Sequence, residues 1–261
     1  MVSSAGLPLK HVLAALLLVL SPPARAEDAE ARRLLKEAEA RHRSKSQEYS
    51  GELTVVSRDG KVRKKSWRSW RDGYAGDARL LIRFTDPPEV RGVGFLSLAR
   101  PGKSPDQWLY LPSMKRERRI AAQDRDASFV GTDFNYEDLE ELDHAKFAVS
   151  LEREETIDGQ PCALVEGRPL ERSVYERKVF ALRKDDLYVV RVEAFRKGQK
   201  EPSKRLALSD IGTVGGHTVA RTMTMSDLGK GSATTVRLKE LAFDRPQPAD
   251  RFTLQNLNRE E

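Results

Sequence analysis

Residues 108–142 read WLYLPSMKRERRIAAQDRDASFVGTDFNYEDLEEL. An aromatic strand (Trp108, Tyr110) closes at Pro112 and leads into four cations in five positions, Lys115, Arg116, Arg118 and Arg119, with Glu117 the only acid among them. A polar linker follows, then the apolar pair Phe129–Val130 and the chain-breaker Gly131. Tyr136, Leu139 and Leu142 recur every three residues. That spacing predicts a short acidic amphipathic helix from about Asp133, with a narrow apolar stripe. A strand, a charged loop and a small lid-like element therefore follow one another here, and what the lid lies on is set by the flanking chain.

On both sides the period is two. Toward the N-terminus, Leu53 and Val55 alternate with Glu52 and Thr54, and Leu80, Ile82 and Phe84 share one face against Arg79 and Arg83. Val93 and Phe95 start a further run. Asp59-Gly60, Asp72-Gly73, Pro87-Pro88 and Pro101-Gly102 punctuate these runs as turns. Toward the C-terminus, Phe147–Leu151, Cys162–Val165, Val174–Leu182, Leu187–Phe195, Arg205–Ile211, His217–Met225 and Ser232–Phe243 read as strands, with a short tail at Phe252–Leu254. About eleven strands at such spacing indicate an antiparallel sandwich or barrel. An outer-membrane barrel needs an apolar outward band. Arg79, Arg83, Glu176, Lys178, Arg191, Glu193, Arg237 and Lys239 on the non-core faces exclude it. Residues 27–46 are helical instead: Ala31, Leu34, Leu35 and Ala38 form one small-residue stripe that suits a helix laid on a sheet.

The first 26 residues have the three parts of a secretory leader: Lys10 and His11, the apolar run Val12–Leu20, and Ala24-Arg25-Ala26 as cleavage site. The run is too short to be a stable membrane anchor. Residues 27–261, without linker or repeat, form one domain. The formal charge of +6 falls to +4 once Lys10 and Arg25 are removed with the leader. Cys162 is the only cysteine, so no intramolecular disulfide forms and no cysteine at the cleavage site can be lipidated. The expectation is a soluble, exported, periplasmic protein.

Catalytic signatures are missing. None of the four histidines belongs to a nucleophile motif, no two His or Cys fall at metal-ligand spacing, and there is no glycine-rich phosphate loop. No catalytic residue, metal or cofactor is therefore assigned. Glu137, Asp138, Glu140, Glu141 and Asp143 read as a solvated helix face, with acids favoured near the N-terminus. The basic run Lys61–Arg71 holds Trp67 and Trp70, a pattern that can bind single-stranded nucleic acid. Export argues against that partner and leaves anionic headgroups or a charged outer sheet face. Lys115–Arg119 can pair with the acidic run and lock a loop, or hold a phosphate or a partner's carboxylates.

The central stretch resembles the outer-membrane lipoprotein-sorting protein family, within the LolA/LolB-like superfamily of periplasmic lipoprotein and lipid carriers. The residues that carry the resemblance are Trp108-Leu109-Tyr110-Leu111-Pro112, Arg116 with Arg118-Arg119-Ile120, Phe129 with Gly131-Thr132-Asp133-Phe134, and Tyr136-Glu137-Asp138-Leu139. Tyr175 and Phe252-Thr253-Leu254 also fit, so the likeness spans roughly residues 30–255. It implies a mainly β (α+β) fold: a strongly curved, half-open antiparallel barrel with helices over its concave face. It further implies a carrier whose cavity takes acyl chains of lipids or lipoproteins. Donor and acceptor would be an inner-membrane transporter and an outer-membrane acceptor, with peripheral membrane contact only. The candidate cavity residues are Leu80, Ile82, Phe84, Phe95, Trp108, Tyr110, Phe134 and Leu139. Arg116, Arg118, Arg119, Asp133, Tyr136 and Asp138 are the candidates for a lid latch or a partner-docking site. The alternative is a cargo-free accessory module that docks on an envelope transporter.

Overall fold

The computed structural model describes Met1, residues 26–101 and residues 103–259; the proposed leader lies almost wholly outside them. The long helix α1 (Ala26–His42) precedes β1 (Ser46–Val56), β2 (Val62–Asp72), β3 (Arg79–Asp86), β4 (Gly94–Arg100), β5 (Lys103–Leu111) and β6 (Arg116–Arg119). An irregular strap covers residues 120–146. Then come β7 (Phe147–Ile157), β8 (Gln160–Pro169), β9 (Arg177–Arg183), β10 (Val189–Phe195), β11 (Lys204–Val214), β12 (His217–Asp227), β13 (Ser232–Phe243) and a one-turn helix α2 (Leu254–Leu257).

All thirteen strands join one antiparallel sheet in the order β6-β5-β4-β3-β2-β1-β13-β12-β11-β10-β9-β8-β7. The chain thus begins in the middle of the sheet, runs out to one edge at β6 and crosses by the strap to the other edge at β7. It then returns strand by strand until β13 pairs with β1. Each connection apart from the strap joins neighbours, which is why short turn signals suffice. Asp158 and Gly159 show the device: both have positive φ, and they link β7 to β8 directly.

The sheet must be strongly curved. β5 and β11 lie seven strand steps apart, about 34 Å if flat at 4.8 Å per step. Yet Gln107 of β5 donates to the Tyr136 carbonyl at 3.1 Å, and Lys204 of β11 meets Asp138 at 2.9 Å, two residues further along the strap. Near the two edges, Lys146 Nζ donates to the Lys103 carbonyl at 3.0 Å. The strap and α1 lie against the inner face, where their apolar residues pack with those of the strands.

The structure corrects four expectations. The strand count is thirteen; the clearest addition is β6, four charged residues without apolar alternation that become a strand because Leu109 and Leu111 pair with Arg118 and Arg116. The mid-chain helix is absent: only a 3-10 turn forms at Glu137–Leu139, and Glu140 already has extended backbone. Asn135 and Asp138 cap each other, each side chain accepting from the other's N–H at 2.9 Å, and the acids that follow reach partners outside the strap. One long helix rather than several therefore covers the inner face. The C-terminal tail is a turn and α2, packed by Phe252 and Leu257 on the outer face of β2–β5.

Candidate functional site

Strand register fixes which side chains point inward. On β2 these are Lys65, Trp67, Ser69 and Arg71, opposite Leu53, Gly51, Tyr49 and Gln47 of β1. Phe84, Ile82 and Leu80 of β3 continue the face, followed by Phe95 of β4 and Leu109 of β5. In the other direction it passes through Thr234 and Val236 of β13, Met225 and Met223 of β12, Leu206 and Leu208 of β11, then Val192 of β10 and Phe180 of β9.

Two bodies fill the ends of this trough. At the β1–β5 end the strap inserts Phe129 and Tyr136. Phe129 packs against Phe84, Phe95 and Tyr136 with ring centroids 5.2–5.8 Å apart. The turn that presents Phe129 uses positive φ at Val130 and Gly131, and is closed by Phe129 N–H donating to the Phe134 carbonyl at 2.8 Å. At the β7–β9 end, Ala31, Leu34, Leu35 and Ala38 of α1 pack on Val149, Val165, Phe180 and Leu182, using the stripe predicted from sequence.

The strap's acids hold it down. Asp133 accepts from Thr234 Oγ1 at 2.6 Å and from Ser232. Glu137 accepts from Ser173 and from the Val174 N–H at 2.8 Å. Asp138 meets Lys204 at 2.9 Å and the Tyr175 hydroxyl at 2.8 Å, while Asn135 Nδ2 donates to that hydroxyl at 3.0 Å. Burial, with Asp138 adding to it, pushes the Tyr175 phenol far above its ordinary range. Arg125 braces Glu137 and Glu140, and burial raises the Glu140 carboxyl against Arg125's pull. Each buried charge has a partner, which is what makes burial tolerable. The reading of this run as a solvated face is therefore overturned: Glu137 and the side chain of Asp138 are buried.

Between strap and α1 the trough is open. Val192, Leu206, Leu208 and Met223 are only half-buried although they face inward. Two cavities flank the strap segment Glu141–Leu142. One, of about 320 Å³, lies beneath α1 and is walled by Leu35, Ala38, Tyr49, Leu208, Val219 and Phe243. The other, of about 190 Å³, is walled by Phe147, Phe180, Val192, Leu206 and Met225 and is rimmed by Lys178, Lys204 and the strap's acids. Arg71 Nε approaches Glu141 to 3.0 Å where the two cavities meet. Burial raises the Glu141 carboxyl above its usual range, with Arg71 opposing.

The residues singled out in sequence divide among three places. Leu80, Ile82, Phe84, Phe95, Phe134 and Leu139 come together on the inner face, but in the cluster that the strap fills. Trp108 and Tyr110 face the other way, with Leu96, under Phe252 and Leu257; the inward residues of β5 are Leu109 and Leu111. Of the latch candidates, Asp133, Tyr136 and Asp138 anchor the strap, and Arg116 is exposed on β6. Arg118 pairs with Asp124 at 3.6 Å and Arg119 with Asp106, so neither reaches the acidic run. The cations that do are Arg71, Arg125 and Lys204. The open wall on β10–β12 was missed, although Val219, Met223 and Met225 share one face in the sequence and Leu206 and Leu208 alternate beside them.

A family model described as that of an uncharacterized protein matches residues 76–259. The chain belongs to this family. No curated protein matches the sequence. Among solved structures, the chain is similar to a domain designated an outer-membrane lipoprotein-sorting protein, from Vibrio parahaemolyticus (24% identity, TM-score 0.84, covering 89% of this chain and 100% of that one). It is similar to a DUF1329 family protein from Desulfovibrio piger (25%, 0.83, 88% and 99%). It is also similar to a LolA superfamily protein from Nitrosomonas europaea (18%, 0.69, 85% and 97%). The resemblance to the lipoprotein-sorting proteins thus extends over the whole fold.

Proposed function

We propose that the protein is a periplasmic binder and carrier of acyl chains, taking up a lipid or the lipid anchor of a lipoprotein between α1, the strap and the inner face of β10–β13. The observation that carries this reading is the set of half-buried apolar side chains, Val192, Leu206 and Leu208, that faces inward yet borders open space. A protein interior is normally packed to crystal density. An apolar wall left open inside a fold of lipoprotein-sorting type suits an apolar ligand. The physical need is plain: each exposed methylene of an acyl chain costs about 0.8 kcal/mol in water, so a chain crosses an aqueous space only inside such a shelter. Donor and acceptor would be envelope membranes or the transporter and acceptor proteins seated in them. Among the described residues no helix is long and apolar enough to cross a membrane, and the leader-like N-terminus supplies the export signal.

One feature favours the alternative of a cargo-free docking module. The larger cavity, at about 320 Å³, is at the low end of the roughly 300–1,000 Å³ of ligand pockets, and the strap's own aromatic side chains occupy the β1–β5 half of the trough. Native mass spectrometry of the protein purified from its own envelope, with extraction of bound lipid, decides between the two. A stoichiometric lipid adduct supports the carrier and names its cargo class. A bare mass, together with no uptake of a fluorescent fatty acid, moves the reading to the docking module.

A further inference from the structure

Exposed large apolar side chains are unevenly distributed over this molecule. Leaving aside Met1, the described residues include six that are exposed: Val56, Val62, Met114, Leu170, Leu228 and Leu254. Scattered singly, such residues need no explanation. Here five of the six stand on one rim of the half-barrel.

Strand register shows that they share a rim. Val56 pairs with Val62 across the β1–β2 hairpin and with Ala233 of β13. Ser232 pairs with Asp227 on either side of Leu228, and Asp227 pairs with Lys204 at the start of β11. From there the same end of the sheet passes through Ala194 and Phe195 of β10 and Arg177 of β9, and reaches Pro169, the residue before Leu170. In the other direction it runs from β2 through Asp86 and Gly94 to Leu111 and Arg116, which bracket Met114.

Charge is sorted in the same way. The six turns at this rim are 57–61, 87–93, 112–115, 170–176, 196–203 and 228–231. They hold nine Lys and Arg against five Asp and Glu. The connections at the opposite rim are 73–78, Pro101, 158–159, 184–188 and 215–216, with the segments 43–45 and 244–248 that lead to α1 and α2; together they hold four Lys and Arg against five Asp. Lys61, Lys64, Lys115, Arg116, Arg172 and Lys197 are exposed, and none forms a salt bridge among the described residues. The smaller cavity opens beside this rim: Pro169 and Glu171, on either side of Leu170, belong to its wall.

We propose that this rim is a docking surface for an anionic lipid bilayer. Exposed cations are drawn to the negative surface potential, and the apolar tips between them sink into the headgroup layer; stable anchoring takes both signals. The opposite rim, near neutral and without exposed apolar tips, faces the aqueous space. Docked this way, the protein holds one cavity mouth against the bilayer. The docking surface itself stands on exposure and charge alone, and only the benefit for transfer rests on the carrier reading.

The test is flotation of the purified protein with vesicles of phosphatidylcholine containing phosphatidylglycerol, against vesicles of phosphatidylcholine alone. The expected result is at least about tenfold stronger partitioning onto the anionic vesicles, weakened by added salt. Two double variants, Leu170→Asp with Leu228→Asp and Lys61→Glu with Lys64→Glu, each lose at least about fivefold. Arg43→Glu with Lys45→Glu, a matched pair of exposed cations at the opposite rim, binds as the wild type does. All of these side chains are exposed, so the fold tolerates the changes. No preference of the wild type for anionic vesicles, or equal losses in the Arg43→Glu, Lys45→Glu variant and the rim variants, would overturn the proposal. Fatty-acid uptake from solution is measured on the same samples. Docking without uptake removes the carrier reading alone, and uptake without docking removes this inference alone.

Discussion

Asp138 offers the sharpest test of how the strap is held. Its carboxylate meets Lys204 Nζ at 2.9 Å, the Tyr175 hydroxyl at 2.8 Å and the Asn135 N–H at 2.9 Å. Both charged side chains are nearly closed off from water, with 6% of Asp138 and 5% of Lys204 exposed. Asp138→Ala leaves an ammonium buried without a counter-charge. At an effective dielectric of 20 the lost attraction is about 6 kcal/mol at this distance. The net cost is smaller, because an ammonium stranded in this way can shed its proton. For an ordinary lysine amine that takes about 5 kcal/mol at pH 7, which caps the charge term. Breaking one side of a buried pair in other proteins costs about 3–5 kcal/mol, and the same range is expected here. Lys204→Met strands Asp138 in turn and falls in that range. Combining Asp138→Ala with Lys204→Met removes both charges, and its cost is less than the sum of the single changes by about 2 kcal/mol or more. Urea unfolding followed by the fluorescence of Trp67, Trp70 and Trp108 measures all the variants. Costs that simply add would refute the reasoning, since they would mean that the pair is not coupled and contributes nothing to holding the strap.

Leu208→Trp fills the larger cavity from its wall; fluorescent fatty-acid affinity should fall at least about tenfold, for an overpacking cost of about 1–3 kcal/mol, and unchanged affinity would take the cavity out of the binding site. Tyr110→Ala, on the outer face under α2, should cost about 3 kcal/mol in unfolding experiments and leave fatty-acid affinity intact; lost affinity in a folded variant would return β5's outer residues to the site. Glu141→Gln tests the junction of the two cavities. Burial raises this carboxyl in the folded state, so the folded protein binds a proton there more readily than the unfolded chain, and stability falls as pH rises above the ordinary glutamate value of about 4.3. The variant should therefore be at least as stable as wild type at pH 7, with its advantage shrinking toward pH 4. A variant weaker at pH 7 would show that the Arg71 contact outweighs the desolvation.

Much of the architecture was legible in the chain. The period-two runs, the turn pairs and the α1 stripe became the strands, turns and helix that they predicted, because each depends on neighbours a few residues away. β6 was not legible: Arg116–Arg119 has no apolar alternation, and only pairing with Leu109 and Leu111 makes it a strand. The strap was misread for a related reason. Acids at Glu137, Asp138 and Glu141 have the composition of an exposed helix face, and nothing local reveals that Val174, Lys204 and Arg71 wait for them 37, 66 and 70 residues away.

What the sequence by itself determined was the set of strands, their alternation and the apolar material for two layers. It could not say which layer faced inward. β3, β4 and β5 are apolar on both faces, since the strap covers one and α2 with its preceding turn covers the other. Alternation therefore marks two sides of β5 without ranking them, and Trp108 and Tyr110 looked as suitable as Leu109 and Leu111. Tertiary structure decided the face, and it decided where the trough stays open. A cavity is what remains when the packing bodies run out, and the reach of the strap from one end and of α1 from the other is a property of the folded chain, not of any stretch within it.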